Sequence, residues 1–160
     1  MTAGYSGTPL PKKLGIKEGS RVAVLGGPDR FQSTLGTLPA RVTIRTKARA
    51  EADVIVLFAT RFARLKTEFV RAMRMMPGDG GMLWIAWPKK AAKMDTDLDE
   101  NLIRDYGLSL GIVDTKVCAI DETWSGLRFN RRRTSGLQRR RSLIGEQLLQ
   151  PAGNTPKPDK

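Results

Sequence analysis

Asp53-Val54-Ile55-Val56-Leu57-Phe58-Ala59 and Met82-Leu83-Trp84-Ile85-Ala86-Trp87 are both apolar without alternation. Runs of this kind are what central parallel strands look like when helices cover both faces of a sheet. Between them, Phe62, Leu65, Phe69, Ala72, Met73 and Met76 recur at spacings of three and four, one apolar stripe on a helix over Arg61 to Met76. Arg64, Glu68 and Arg71 fall on its other side, where Glu68 can pair with either arginine. Pro77-Gly78-Asp79-Gly80-Gly81 stops the helix and turns the chain. Residues 53–87 therefore read as a βαβ unit, with the right-handed crossover such units nearly always have.

Working toward the N-terminus, Arg21-Val22-Ala23-Val24-Leu25 reads as a buried first strand that ends in Gly26-Gly27-Pro28. Residues 1–13 read as an ordered or semi-ordered arm, with Gly4, Gly7, Pro9 and Pro11. Arg41-Val42-Thr43-Ile44-Arg45 alternates, which predicts a half-exposed strand near an edge. Only Lys47 to Ala52 separate it from the next strand, a reach of about 20 Å when extended. Parallel crossovers normally need a dozen or more residues. That strand is either antiparallel or returns by a bare extended crossover, and both alternatives stand.

Toward the C-terminus, a helix is expected from Asp97, with Thr96 as N-cap and Asp97, Asp99 and Glu100 at its positive end. Leu98, Leu102, Ile103 and Tyr106 would face inward, and Gly107 or Gly111 would end it. Ile112 to Ile120 and Trp124 to Arg131 are joined by so short a turn that they must be antiparallel. The sum is an α/β domain over residues 14–131: a three-layer, Rossmann-like open sheet of about six strands with a C-terminal antiparallel hairpin. Trp84 and Trp87, three apart on one strand, would face opposite sides and belong to the core. Among the helix methionines, Met75 is expected to be the exposed one. Cys118 reads as a buried apolar filler and Trp124 as partly exposed.

The chain has 160 residues, 28 Lys and Arg against 16 Asp and Glu, no His and one Cys. Without His there is no Ser-His-Asp triad, no His-ligated zinc and no imidazole base. A lone Cys118 leaves no internal disulfide or Cys-rich metal site, which fits a cytoplasmic setting. No apolar run approaches the ~18 residues a membrane span needs. No metal or cofactor is expected. The charge is uneven: residues 128–160 hold nine basic and two acidic residues, against nineteen and fourteen in 1–127. Arg131-Arg132-Arg133 and Arg139-Arg140-Arg141 make residues 132–160 a basic tail. Residues 138–149 could form a short amphipathic helix, and 151–160 carry too little apolar content to order. Arginine triplets attract phosphate, but no aromatic interleaves them to stack on bases.

The lead-in Leu14-Gly15-Ile16-Lys17-Glu18-Gly19-Ser20-Arg21-Val22, the turn Met76-Pro77-Gly78-Asp79-Gly80-Gly81-Met82-Leu83 and the final hairpin resemble the class I S-adenosylmethionine methyltransferase fold. A more specific resemblance, over about residues 1–133, is to a family of small bacterial proteins classed as a domain of unknown function. It is carried by Tyr5-Ser6-Gly7-Thr8-Pro9-Leu10, Lys13-Leu14-Gly15-Ile16, Trp87-Pro88-Lys89-Lys90 and Val117 to Phe129. The methyltransferase resemblance implies a glycine-rich cofactor loop after strand one and a ribose-holding acid at the end of strand two. This chain has Leu25-Gly26-Gly27-Pro28-Asp29 at the first place and Arg45-Thr46-Lys47 at the second.

In open α/β sheets, ligands sit beyond the carboxyl ends of the strands, near the point where strand order reverses. Gly26, Gly27, Pro28, Thr60, Arg61, Pro88, Lys89 and Lys90 fall at such ends. Glycines, a helix N-terminus and cations suit an anion. The expectation is a non-catalytic, methyltransferase-like domain that binds a nucleotide or nucleic acid there. The alternatives are a degenerate methyltransferase, an enzyme acting on a phosphorylated metabolite, or a protein-interaction module. Asp121 and Glu122 are adjacent carboxylates in a hairpin, where holding the turn or pairing with Arg128 and Lys116 is the simpler role.

Overall fold

The computed structural model describes residues 8–47 and 49–132. The expectations for the start of the arm, for Arg133, for the helix over 138–149 and for residues 151–160 lie outside these.

Six strands form one sheet: β1 (Arg21–Leu25), β2 (Thr43–Arg45), β3 (Val54–Phe58), β4 (Met82–Pro88), β5 (Ile112–Ala119) and β6 (Trp124–Arg131). Their order is β2-β1-β3-β4-β6-β5. The first four are parallel, whereas β6 runs antiparallel between β4 and β5. This is the Rossmann-like open sheet with a C-terminal hairpin that the sequence implies.

Helices cover both faces. α1 (Leu10–Leu14) and α2 (Phe31–Leu35) lie on one, α3 (Phe62–Met75) and α4 (Glu100–Ser109) on the other. All five residues of β3 are buried, as its unbroken apolar run requires of a strand covered twice. Trp84 joins the α1/α2 side and Trp87 the α3/α4 side. On the α3/α4 side, Phe69 packs edge-on to Tyr106 and Phe129, at 5.3 and 5.5 Å between ring centroids. Gly107 lies inside α4, which ends instead before Gly111 at φ 95°. A Cβ on Gly107 would fall 2.2 Å from Phe129 Cε1, so this helix must carry glycine to approach the sheet.

Strand two takes the second of the two alternatives. β2 is parallel to β1, with Arg21 opposite Thr43 and Ala23 opposite Arg45. α2 makes the first crossover. The return over residues 46–53 is short because β2 is only three residues, about 10 Å of chain to retrace. The return is pinned at both ends. Arg45 Nη2 donates to the Ala50 and Glu51 carbonyls at 2.8 and 3.0 Å, and Arg21 forks onto the Asp53 carboxylate.

The described end of the arm is ordered: Leu10 and Leu14 are buried in the core, and the Trp84 indole donates to the Leu14 carbonyl at 3.0 Å. Two local expectations need correction. α4 starts at Glu100, and its N-cap is Asp99, whose carboxylate accepts from the Leu102 amide. Thr96 instead bridges outward, donating to the Thr60 carbonyl and accepting from the Leu98 amide. Met75 is buried and Met73 only partly so, because α3 lies with its C-terminal turn pressed onto the sheet.

Candidate ligand site at the carboxyl edge of the sheet

Strand order reverses at β1: β2 lies on one side of it and β3 on the other. A cavity of about 350 Å³ opens where β1 ends. It is lined by Gly26, Gly27 and Pro28, together with Asp29, Gln32 and Thr46. That volume lies at the small end of the range for ligand pockets. The two glycines have packing reasons to be there. A Cβ on Gly26 would sit 3.0 Å from the Phe58 carbonyl oxygen, and one on Gly27 would meet Val24 at 2.7 Å. The loop thus lies tightly over the β1–β3 junction, and the Phe31 amide closes it by donating to the Pro28 carbonyl at 3.0 Å. The cavity reaches the end of β2, where Thr46 lines it.

Thr60 and Arg61 follow β3 but meet a segment of the same chain. The Asp97 carboxylate accepts from the Phe62 amide at 2.8 Å, occupying the positive end of α3. Arg61 pairs with Asp95. The Thr60 carbonyl accepts from Thr96 Oγ1 at 2.6 Å. Residues 95–97 therefore supply internally the negative charge that this helix end would otherwise draw from a ligand.

Pro88 is buried at the end of β4, opposite Trp124. The Lys89 amide donates to the Thr123 carbonyl at 2.8 Å, and Lys90 begins a single 3-10 turn to Ala92. Neither lysine side chain forms an ion pair among the described residues. Between these lysines and the glycine loop runs a row of aromatic rings. Phe58 stands edge-on to Phe31 and to Trp124, each at 5.0 Å. The eight candidate residues thus form three groups, of which only Gly26, Gly27 and Pro28 line the cavity.

Gln32 was not among the candidates. It sits on a five-residue helix, too short to show a 3.6-residue period in sequence. Arg45 and Thr46 stand at the end of β2, where the methyltransferase resemblance calls for a ribose-holding acid. Thr46 lines the cavity, while the Arg45 guanidinium is engaged with backbone carbonyls. Asp121 holds its turn, with Oδ1 accepting from the Thr123 and Trp124 amides, each at 2.8 Å. Among the described residues, no group of three or more His, Cys, Asp or Glu side chains could hold a metal ion. No helix among them is long and apolar enough to cross a membrane.

No family model and no curated protein matches the chain. Solved structures do. A SAM-dependent methyltransferase from Aquifex aeolicus is 14% identical over 74% of this chain and 85% of that one, at a TM-score of 0.49. TrmN from Thermus thermophilus is 14% identical over 77% of this chain and 47% of that one, at a TM-score of 0.43. Strand order and direction, read from the chain itself, remain the ground for the fold.

Proposed function

We propose that this domain binds a nucleotide at the carboxyl end of β1 and performs no chemistry on it. The observation that carries this reading is the cavity at the reversal of strand order, with Asp29, Gln32 and Thr46 in its wall. A carboxylate and an amide suit ribose hydroxyls. Exposed Arg30 and Lys47, the chain neighbours of Asp29 and Thr46, suit a phosphate. The lining holds a single carboxylate and no nucleophile–base pair. Lys89 and Lys90 extend the same edge and would meet a longer polyanion such as nucleic acid. On this reading the chain belongs with the bacterial domain-of-unknown-function family that its Trp87–Lys90 and Val117–Phe129 stretches resemble, and works in the cytoplasm.

Thermal melts with AMP, ATP and S-adenosylmethionine test it. A nucleotide that binds only the folded state adds about 2.7 kcal/mol at a hundredfold excess over its Kd. Gln32→Ala with Thr46→Ala should weaken that ligand about tenfold or more. Melts unmoved by all three ligands defeat the nucleotide reading. Consumption of S-adenosylmethionine in the presence of an acceptor defeats the non-catalytic one.

A further inference from the structure

At the other edge of the sheet, about four strand spacings or ~19 Å from β1, α1 and the outer strand β5 enclose an open cleft of about 530 Å³. Lys12 and Lys13 of α1 form one wall, and Lys116 to Ala119 of β5 form the other. Lys13 is only 9% exposed, and its ammonium donates to the Ala119 carbonyl at 3.3 Å. Lys116 lies directly opposite Arg128 on β6. Like charges placed so are destabilising unless something neutralises them.

Nothing among the described residues does. Arg128 donates to Thr115 Oγ1 and lies over the Trp84 ring, and both partners are neutral. Lys12, Lys116 and Arg128 form no ion pair with any described carboxylate, and the nearby Asp114 is taken by Arg104 at 2.8 Å. Residues 1–7, which lead into the cleft wall at Thr8, contain no Asp or Glu. The floor is Cys118, whose thiol burial pushes up in pKa despite the nearby charges of Lys13, Lys116 and Arg128.

We propose that this cleft is a second ligand site, which takes a small phosphate-bearing molecule. Ammonium groups act on phosphate as point charges, and here exposed Lys12 and Lys116 face one another across one concavity. The volume is that of a small-molecule pocket, and no aromatic side chain lines it for a base to stack on. The inference stands apart from the nucleotide reading, since the two sites share no residue.

The test is calorimetric titration of pyrophosphate into the full chain at constant ionic strength. Three proteins are compared: wild type, Lys12→Ala/Lys116→Ala and, on α3 across the sheet from α1, Arg64→Ala/Arg74→Ala. Both pairs change side chains that project from the surface, so the core is left alone. The expected result is binding by wild type that is weakened tenfold or more in Lys12→Ala/Lys116→Ala and unchanged in Arg64→Ala/Arg74→Ala. In wild type, pyrophosphate should also shift the amide NMR signals of Val117, Cys118 and Ala119. No binding, equal affinity in the cleft variant, or shifts that bypass Val117–Ala119 would each overturn the proposal.

Discussion

Asp53 shows how one residue can hold a topology. Its carboxylate accepts the Arg21 backbone amide at 2.8 Å and the Arg21 guanidinium at 2.9 and 3.1 Å, at the point where the short return from β2 enters β3. Hydrogen bonds from the Arg21 side chain hold the Asp53 pKa below its ordinary 3.8, with partial burial opposing them. A depressed carboxylate contributes stability that is fully present above its unfolded pKa and is lost as pH falls through the folded one. Asp53→Asn should therefore melt below wild type at neutral pH, and the two should converge well below pH 3.8. Melts across that range check it; a gap that persists in strong acid would show that Asp53 acts through something other than its charge. The pairing spans thirty-two residues of sequence, so reading the sequence alone showed Asp53 only as the polar start of an apolar run.

At the scale of elements, legibility followed burial and length. β1 and β6 are observed with the ends that their residues imply, and β3 and β4 lie within a residue or so of theirs. These runs are apolar on both faces or bounded by turns, signals that survive without tertiary context. The five-residue helices α1 and α2 were not legible. Neither completes two turns, and packing against the sheet decides their conformation. α1 ends at Gly15, whose φ of 86° is the left-handed cap that favours glycine. Gly107 shows the reverse error, since a mid-helix glycine reads as a stop until the sheet beneath it is known. In Gly107→Ala, helix propensity gains about 1 kcal/mol, but the methyl overlaps a Phe129 ring that is wholly buried against Phe69. Because that ring has nowhere to turn, overpacking wins, and the variant should be about 1–2 kcal/mol less stable by urea unfolding. An unchanged or raised midpoint would mean that α4 can lift from the sheet at little cost.

For the molecule as a whole, charge distribution frames the interaction with polyanions. Residues 128–160 carry nine basic and two acidic residues, whereas the folded edge offers Lys89, Lys90, Arg30 and Lys47. Counterion release makes phosphate contacts additive in the salt dependence of binding. A chain ending at Arg133 should therefore bind labelled nucleic acid with a shallower salt slope than the full chain. If the folded edge takes part, measurable affinity remains after truncation, and Lys89→Ala/Lys90→Ala reduces it. Complete loss on truncation would assign nucleic-acid attraction to the tail arginines and leave the edge for small ligands.

The sequence by itself determined the α/β class, the βαβ unit over residues 53–87, the closing hairpin and the uneven charge. These follow from apolar periodicity, turn residues and composition, all of which act locally. Tertiary structure decided the direction of β2, the burial of Met75 and the division of eight strand-end residues into three groups. It also decided that Asp97 caps α3, its partner Phe62 lying thirty-five positions away in sequence, and that Lys116 lies opposite Arg128 beside the α1 lysines. In each case the deciding partner is remote in sequence. Long-range contacts arise from how the sheet is ordered and covered, which no local stretch encodes.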